Sequence, residues 1–255
     1  LIFTRTIMLL HLKNFIYVTR LNKPVGFLLL FWPCSWSLSL AYYYEKNTTT
    51  FFYYLFLFLC GSILMRSAGC IVNDIVDEKI DKKVSRTKNR PIASGLLNKN
   101  LAWFYVLILC SLAFCVLIQF NFLTIYLGMF SMIFAFSYPF MKRLTYWPQL
   151  FLGFTFNWGI IMAWAALMNE ISFIPILLYI GAIFWTLGYD TIYGVQDISD
   201  DEVIGVKSTA IKFKKNLSLF VGICYFISAT LISLVMINIK INFSLLFIVL
   251  FILHF

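Results

Sequence analysis

Four acidic residues follow directly on a long apolar run in the first third of the chain, in the segment NDIVDEKID (73–81). If this segment is helical, Asn73, Asp77 and Asp81 lie on one face, because they are spaced four residues apart. Like charges at that spacing repel, and a carboxylate taken out of water costs several kcal/mol unless it is neutralised. A divalent cation is the simplest way to neutralise them. Hard oxygen ligands with an open position suit Mg²⁺ carried on a phosphate, so the pattern predicts such a site.

A second acidic segment, DTIYGVQDISDDE (190–202), also follows an apolar run, and the two segments hold nine of the chain's eleven acids. In a continuous helix, Asp190, Asp197 and Asp201 share one face, with Tyr193 on it. Asp200 lies on a neighbouring face. An alternative is that these acids are solvated and only balance nearby lysines. Two matched clusters at the ends of apolar runs rarely arise in that way, and ionisable residues at a membrane edge are functional candidates.

Basic residues follow both acidic segments at spacings that suit phosphate. Arg86 and Arg90 follow the first segment, and Lys207 follows the second. A metal ion together with arginine or lysine commonly stabilises a departing diphosphate, so we expect these three side chains to contact one. For the lysines further along the loops, orientation of the chain in a membrane is the better explanation.

Three further basic residues lie within or at the end of apolar runs. Arg66 is inside the second run, seven residues before Asn73 and on nearly the same face. A charge there is expensive, so it is expected to face a cavity or, alternatively, to form a structural ion pair with an aspartate. Lys142 and Arg143 end the fourth run. Their position is equally consistent with binding an anionic second substrate and with anchoring the end of the helix.

The composition places the chain in a membrane. Hydrophobic residues make up 62% of its 255 residues and charged residues 12%, whereas soluble proteins have about 25% charged residues. The net charge of +9 does not indicate a nucleic-acid partner, because the basic residues are spread over the loops between apolar runs. The six cysteines have no CxxC spacing, so neither a disulfide framework nor a zinc site is expected. We expect one membrane domain over residues 1–255.

The spacing of the apolar runs predicts an all-α bundle of eight to nine membrane helices, preceded by a basic helix at the membrane surface over residues 1–24. Each of the first seven runs is near the ~20 residues that cross a bilayer. They lie at 25–44, 51–72, 101–119, 122–141, 150–168, 171–190 and 217–237. The last run, 243–255, is too short to cross, and we expect the chain to be truncated there. The acidic segments each follow the second span of a four-span half. This predicts two parallel four-helix repeats around a central cavity.

The distribution of basic residues predicts the orientation of the bundle. With the N-terminus inside, the inside segments are 1–24, 73–100, 142–149 and 191–216. They hold 17 of the 20 lysines and arginines, whereas the outside loops hold only Lys46 and Lys240. By the positive-inside rule, both acidic segments therefore emerge on the cytoplasmic face.

Several motifs make a family resemblance specific, over about residues 20 to 212. They are RLNKP (20–24), RSAGCIVNDIVDEKID (66–81), RTKNRPIASG (86–95), YPFMKR (138–143) and GYDTIYGVQDISDDEVIGVKSTAI (188–211). The chain resembles the UbiA superfamily of intramembrane prenyltransferases, and within it the 4-hydroxybenzoate polyprenyltransferases. The resemblance implies nine membrane helices around a cavity, with Mg²⁺ bridging both aspartate motifs to an isoprenoid diphosphate. It also implies transfer of a polyprenyl group to the ring carbon ortho to the hydroxyl of 4-hydroxybenzoate, an early step of ubiquinone biosynthesis.

The resemblance assigns roles to residues of this chain. Asn73, Asp77, Asp81, Asp197 and Asp201 would hold the metal–diphosphate. Arg143 would face the carboxylate of the aromatic acid. Asp190 is the candidate base for the ring proton, because it lies deeper in the membrane edge than Asp197. The expected substrate contacts are Arg66, Arg86, Arg90, Lys142, Arg143, Tyr193 and Lys207.

Other functions compete with this interpretation. A family member acting on a naphthoate, a homogentisate or haem is the closest alternative, and the YPFMKR element favours a benzoate. A cation-coupled transporter also has parallel repeats, but its acids would lie near the bilayer midplane rather than at one face. The implied location is a bacterial inner membrane or a mitochondrial inner membrane, with the acidic loops facing the cytoplasm or the matrix.

Overall fold

The computed structural model describes the backbone of residues 2–239 and the side chains of residues 11–239. Every regular element in this part of the chain is helical. The helices are α1 (Ile2–Thr19), α2 (Val25–Glu45), α3 (Thr48–Asp81), α4 (Lys99–Leu117), α5 (Phe122–Leu144), α6 (Pro148–Asn157), α7 (Gly159–Met168), α8 (Phe173–Gly194), α9 (Ile198–Ile204), α10 (Thr209–Lys212) and α11 (Leu217–Asn238), with a 3-10 turn at Val195–Asp197 between α8 and α9.

Seven segments in the described part are long and apolar enough to cross a membrane. They are α2, α3, α4, α5, α6 with α7, α8 with α9, and α11. The protein is therefore an all-α integral membrane protein, and the seven complete apolar runs predicted from the sequence are confirmed as helices. The final run, 243–255, lies outside the described residues, as does the helix expected from it.

Asparagine side chains begin three of the spans. Asn47 accepts a hydrogen bond from the backbone N–H of Thr50 at 3.1 Å and so caps α3. Asn98 and Asn121 cap α4 and α5 in the same way. Each cap satisfies a backbone N–H that has no partner inside the helix, and this stabilises the helix by about 1 kcal/mol. The three caps mark where these spans begin.

The fifth span is divided at Trp158 into α6 and α7. Gly159 begins α7 where it packs on α2, and a Cβ at this position would lie 2.3 Å from the Sγ of Cys34. Only glycine allows the two helices to approach so closely. Just before the break at Trp158, Asn157 donates to the Thr186 hydroxyl at 2.8 Å and to the Ala182 carbonyl at 3.2 Å, both on α8. The break therefore lies at a tightly packed junction of α2, α7 and α8, which the apolar run alone does not reveal.

The two halves of the described bundle repeat the same packing order. In the first half, α2 packs on α3 and α3 on α4; in the second, α6 packs on α8 and α8 on α11. The second span of each half is also the longest, and each ends in one of the acidic segments. This agrees with the two parallel repeats predicted from the sequence.

The N-terminal helix α1 packs on the C-terminal half of α3. Val18 is fully buried, and the ring of Phe15 lies 5.1 Å from that of Tyr105 on α4. The predicted helix is therefore present in the first part of the chain. Its location at a membrane surface stays a prediction.

The hydrogen bonds of Asn157 generate a test of the packing. We expect Asn157→Leu to lower the stability of the folded bundle by about 1–2 kcal/mol, because an interhelical side-chain hydrogen bond in a membrane contributes roughly that much. Thermal unfolding of the detergent-solubilised protein measures the change. Asn238→Leu is the matched control, since Asn238 is exposed and, within residues 11–239, its side chain bonds to the Leu234 carbonyl of its own helix and to no other helix. Equal unfolding temperatures for the two variants would contradict this role of Asn157.

Candidate active site

The C-terminal end of α3 forms the first wall of the candidate site. Asp77 and Asp81 are 1% and 5% exposed, and Asn73 is half-buried one turn before Asp77. The helix continues without a break from the apolar run to Asp81. The four-residue spacing therefore places the three side chains on one face, as predicted.

Asp77 is neutralised by the end of α5. Lys142 donates a hydrogen bond from Nζ to Oδ2 of Asp77, and Arg143 donates from Nη2 to Oδ1 at 3.0 Å. Arg143 also donates to the Val76 carbonyl at 3.0 Å. The two basic residues that end the fourth span thus contact the first acidic segment directly, a contact that the sequence analysis did not foresee.

Asp74 and Asp81 are neutralised by two arginines from different loops. Asp74 accepts from Arg20 at 2.6 Å and from Arg90 at 3.1 Å, while Arg90 also donates to Asp81 at 2.8 Å. Burial of Arg20 acts to lower its pKa, but the Asp74 carboxylate, with smaller contributions from Cys70 and Asp81, more than offsets this effect, and the pKa is raised. Sequence reasoning did not single out Arg20 or Asp74 as site residues. The position of Arg20 in RLNKP, just before the first span, was the available signal.

The second wall comes from the end of α8 and from α9. Asp190 and Tyr193 lie on α8, Asp197 in the 3-10 turn, and Asp200 and Asp201 on α9. A 3-10 turn has about three residues per turn instead of 3.6, so it shifts the register of the residues that follow. As a result, Asp200 lines the same cavity as Asp201, although a continuous helix would place it on a neighbouring face.

One ion pair joins the two walls among the described side chains. Arg86, which follows α3, donates to Asp197 at 2.9 Å. The pairing partner of Arg86 is therefore in the second acidic segment, 111 residues further along the chain. This agrees with the expectation that the two acidic segments face each other.

Hydrogen bonds also fix the segment that connects α9 to α10. The backbone N–H of Lys207 donates to the Lys142 carbonyl at 2.9 Å, and the Thr209 N–H donates to Oε1 of Gln149 at 3.0 Å. The hydroxyls of Thr191 and Thr209 lie 2.6 Å apart. These contacts hold Lys207 against the end of α5. Gln149 and the two threonines were missed from the sequence, because buried uncharged polar residues carry no charge pattern.

The two walls enclose a polar cavity of about 250 Å³. Its charged and polar lining includes all five predicted metal-binding residues and most of the predicted substrate contacts. These lining residues are Asn73, Asp77, Asp81, Asp197 and Asp201, together with Arg86, Arg90, Lys142, Lys207, Tyr193 and Asp190. The alternation of carboxylates with basic groups in one small space suits a ligand that carries both a metal ion and phosphate oxygens.

A second, larger cavity of about 450 Å³ adjoins the polar one. The two share Asn73, Tyr138 and Pro139 in their linings, so these three residues form the junction. The larger cavity is mostly apolar and aromatic, with Phe58, Phe114, Phe120, Phe156 and Trp158 in its lining. A polar cavity and an apolar cavity thus meet at one point near the end of α3.

Arg66 lies in the lining of the apolar cavity, as one of the two alternatives for this residue predicted. Its guanidinium carbon is 5.3 Å from the ring centroid of Phe156. Its Nε is buried and has no hydrogen-bond partner among residues 11–239. In that part of the chain no carboxylate lies within ion-pair distance of it, so the alternative of a structural ion pair with an aspartate is not observed.

Arg143 is the one predicted substrate contact that lines neither cavity in the described part of the chain. It lies beside the polar cavity on Asp77, and its side chain is 36% exposed. Its predicted contact with the carboxylate of an aromatic acid therefore stays a prediction, as do the roles of the other residues.

The donor set fits a metal ion only under one condition. No three acids, histidines or cysteines among the described residues are placed to hold a metal by themselves. The polar cavity nevertheless presents carboxylate oxygens from both walls, and Mg²⁺ is usually held by one or two carboxylates together with substrate phosphates. The residues therefore fit a metal that binds together with a diphosphate.

Comparison with known proteins identifies similar sequences. The chain matches the UbiA prenyltransferase family over residues 30–255. It is 45% identical over 215 residues to a mitochondrial 4-hydroxybenzoate polyprenyltransferase of Caenorhabditis elegans, covering 82% of this chain and 60% of that protein. It is 45% identical over 210 residues to a 4-hydroxybenzoate octaprenyltransferase of Vibrio atlanticus (strain LGP32), covering 82% of this chain and 72% of that protein. The chain thus spans less than two thirds of the nematode relative.

Solved structures share the fold. A UbiA homolog from Aeropyrum pernix K1 superimposes with a TM-score of 0.73 at 19% identity, covering 88% of this chain and 85% of that one. A UbiA homolog from Archaeoglobus fulgidus, bound to GPP and Mg²⁺, superimposes with a TM-score of 0.68 at 17% identity, covering 94% of this chain and 86% of that one. At these low sequence identities, the structural similarity shows that the helices of this chain are arranged as in those two proteins.

Because both acidic segments line one cavity, their loops must emerge on the same side of the membrane. With the six native cysteines replaced, we expect Ser94→Cys and Val203→Cys to react with a membrane-impermeant maleimide from the same side, since both positions are exposed. Thr49→Cys is the control at the other end of α3, about 50 Å away along the helix. It is expected to react from the opposite side. Opposite sidedness of positions 94 and 203 would contradict a shared site.

Proposed function

The chain belongs to the UbiA prenyltransferase family, and from this premise we propose that it transfers a polyprenyl group from polyprenyl diphosphate to 4-hydroxybenzoate. The group would join the ring carbon ortho to the hydroxyl, in an early step of ubiquinone biosynthesis. One observation carries the proposal. A polar cavity with acids and bases on its walls meets an apolar, aromatic cavity at Asn73, Tyr138 and Pro139. An anionic head with a long hydrocarbon tail matches this pair of cavities.

The diphosphate head suits the polar cavity. Arg86, Arg90, Lys142 and Lys207 can donate hydrogen bonds to its oxygens, and a charge-assisted hydrogen bond of this kind is about twice as strong as a neutral one. A bound Mg²⁺ would supply positive charge against the diphosphate oxygens as the leaving group departs. The residues that would hold this metal are Asn73, Asp77, Asp81, Asp197 and Asp201.

The prenyl tail suits the apolar cavity. Its lining is mostly apolar and aromatic, and an aromatic ring face can stabilise a cation by about 0.5–2 kcal/mol. This matters because breaking the allylic C–O bond leaves positive charge on the prenyl carbon. Water in the same space would capture that carbon before an aromatic acceptor reached it.

The acceptor ring must approach the junction between the two cavities. The electron-rich carbon ortho to the hydroxyl forms the new C–C bond while the allylic C–O bond breaks and diphosphate leaves. The ring proton then needs a base, and we assign this role to Asp190, which lines the polar cavity together with the junction residue Tyr138. In residues 11–239 no basic side chain forms an ion pair with Asp190, so its carboxylate is not already engaged in one.

The location follows from the substrate and the loop charges. A polyprenyl tail partitions into lipid, so both substrate and product would reside in the bilayer. We propose an inner membrane, bacterial or mitochondrial, with the loops after α3 and α8 on the cytoplasmic or matrix side. The excess of lysine and arginine in these loops supports that orientation. Residues 1–255 would belong to a single prenyltransferase domain.

Activity is expected to depend on a divalent cation and on both walls of the polar cavity. We expect Asp77→Asn and Asp197→Asn each to reduce prenyl transfer at least about a hundredfold, since each removes a hard oxygen ligand and its charge. Transfer of radiolabelled prenyl diphosphate to 4-hydroxybenzoate in purified membranes measures this. Glu202→Gln is the matched control, because Glu202 pairs with Lys214 at 3.0 Å and lies outside the cavity lining. Near-normal transfer by either variant, or in excess EDTA, would contradict the proposal.

Arg143 tests the identity of the acceptor. An arginine can hold a carboxylate in two parallel hydrogen bonds, which lysine cannot reproduce. Losing one charge-assisted hydrogen bond costs roughly 1.5–3 kcal/mol, so Arg143→Lys is expected to raise the KM for 4-hydroxybenzoate about tenfold to a hundredfold. The substitution keeps a positive charge beside Asp77.

The matched comparison is Arg86→Lys, which we expect to raise the KM for the diphosphate and to leave that for the acceptor near normal. Steady-state kinetics that vary each substrate in turn separate the two effects. If Arg143→Lys instead raises the diphosphate KM alone, Arg143 contacts the diphosphate, and the assignment of a benzoate loses this support.

A further inference from the structure

Asp74 occupies an unusual position behind the candidate site. It is 2% exposed and lines neither cavity among the described residues. A single oxygen atom, Oδ1, accepts hydrogen bonds from Nη2 of Arg20 at 2.6 Å and from Nη1 of Arg90 at 3.1 Å. We call these three residues the Arg20–Asp74–Arg90 cluster. The carboxylate of Asp74 therefore contacts two arginines, and in the described part of the chain it does not line a cavity in which it could contact a ligand.

The two arginines line different cavities. Arg20 lies in the wall of the apolar cavity, and Arg90 lies in the wall of the polar cavity. Arg20 comes from the turn between α1 and α2, and Arg90 from the loop after α3, so Asp74 fastens two separate loops to α3. Each guanidinium has five N–H donors and uses only one or two of them on the carboxylates, which leaves donors for another anion.

The backbone at Arg20 is itself held in an uncommon conformation. Its φ is +55°, in the left-handed region that non-glycine residues seldom adopt. Such a conformation costs a non-glycine residue of order 1 kcal/mol and persists where the surroundings enforce it. The short contact with Asp74 at 2.6 Å holds the Arg20 side chain against α3.

We propose that Asp74 is a positioning residue: it holds Arg20 and Arg90 on either side of the cavity junction so that both can bind the diphosphate of the prenyl donor. Without the carboxylate, two guanidinium groups so close together would repel each other and move apart. Asp74 would then set the affinity for the diphosphate without being a metal ligand. This inference rests on the proposed function, deepening its account of the diphosphate site.

The test measures binding of a non-hydrolysable prenyl thiodiphosphate to the full chain in lipid nanodiscs, with Mg²⁺ present. We expect Asp74→Asn to raise the Kd of this analogue at least about tenfold, since two charge-assisted contacts lose their alignment. The Mg²⁺ concentration that gives half-maximal binding is expected to stay within about twofold of wild type, because Asp74 does not hold the metal. Asp77→Asn, by contrast, is expected to raise that Mg²⁺ concentration.

A double substitution separates positioning from a general structural effect. Because Asp74 acts through the arginines, Arg20→Gln is expected to raise the Kd in the wild-type background and to add little to Asp74→Asn. Thermal unfolding of each variant provides the structural readout. A lower unfolding temperature of Asp74→Asn with an unchanged Kd would overturn the proposal. A double variant whose Kd rises by the product of the two single effects would also overturn it. If Asp74→Asn does not fold, Arg20→Gln decides alone, and an unchanged Kd there also overturns it.

Failure of this inference can be told apart from failure of the proposed function. The binding assay needs no acceptor, so it judges Asp74 even if the wild-type protein does not prenylate 4-hydroxybenzoate. If the wild type does prenylate 4-hydroxybenzoate and Asp74→Asn binds the analogue normally, only the role of Asp74 is lost. Glu202→Gln again serves as the control and is expected to leave the Kd unchanged.

Discussion

Neutralising buried carboxylates at the end of a membrane helix is the requirement on which the rest of this structure depends. Asp74 and Asp77 are almost completely buried on α3, and each accepts hydrogen bonds from two basic side chains. A buried charge that loses its partner costs about 3–5 kcal/mol, so these pairings must be made. Their partners come from the turn before α2, the loop after α3 and the end of α5. Neutralisation of the two carboxylates thus requires three separate segments to pack against the end of α3, beside the polar cavity.

Under the proposed function, the division into a polar and an apolar cavity would separate two physical problems of prenyl transfer. Charge on a leaving diphosphate requires hydrogen-bond donors and a metal ion, whereas a developing carbocation requires a dry, aromatic environment. Among the described residues, the linings of the two cavities share Asn73, Tyr138 and Pro139. In the proposed reaction, the breaking bond would lie at the boundary between them. Tyr138 and Pro139 belong to the same YPFMKR segment as Lys142 and Arg143, which contact Asp77.

Much of this arrangement could be predicted from the sequence, because the length of an apolar run indicates a membrane span and the spacing of residues indicates a shared helical face. Apolar runs of bilayer length predicted a bundle of eight to nine membrane helices, of which seven lie in the described part of the chain. The four-residue spacing of Asn73, Asp77 and Asp81 predicted one helical face. What could not be predicted depends on local geometry or on pairing. The 3-10 turn at Val195–Asp197 brings Asp200 into the cavity. The break at Trp158 lies beside the close approach of Gly159 to Cys34, which an apolar run does not reveal. One partner of Asp74, Arg20, lies 54 residues away in the sequence, and no spacing rule identifies it.

The central claim is that the two acidic walls form one site for a metal ion that binds together with a diphosphate. The most direct test titrates Mn²⁺ into the protein in nanodiscs, with and without a non-hydrolysable prenyl thiodiphosphate, and follows free Mn²⁺ by electron paramagnetic resonance. The account predicts that the analogue tightens Mn²⁺ binding at least about tenfold, because phosphate oxygens complete the coordination that the carboxylates begin. The same Mn²⁺ affinity with and without the analogue would contradict it.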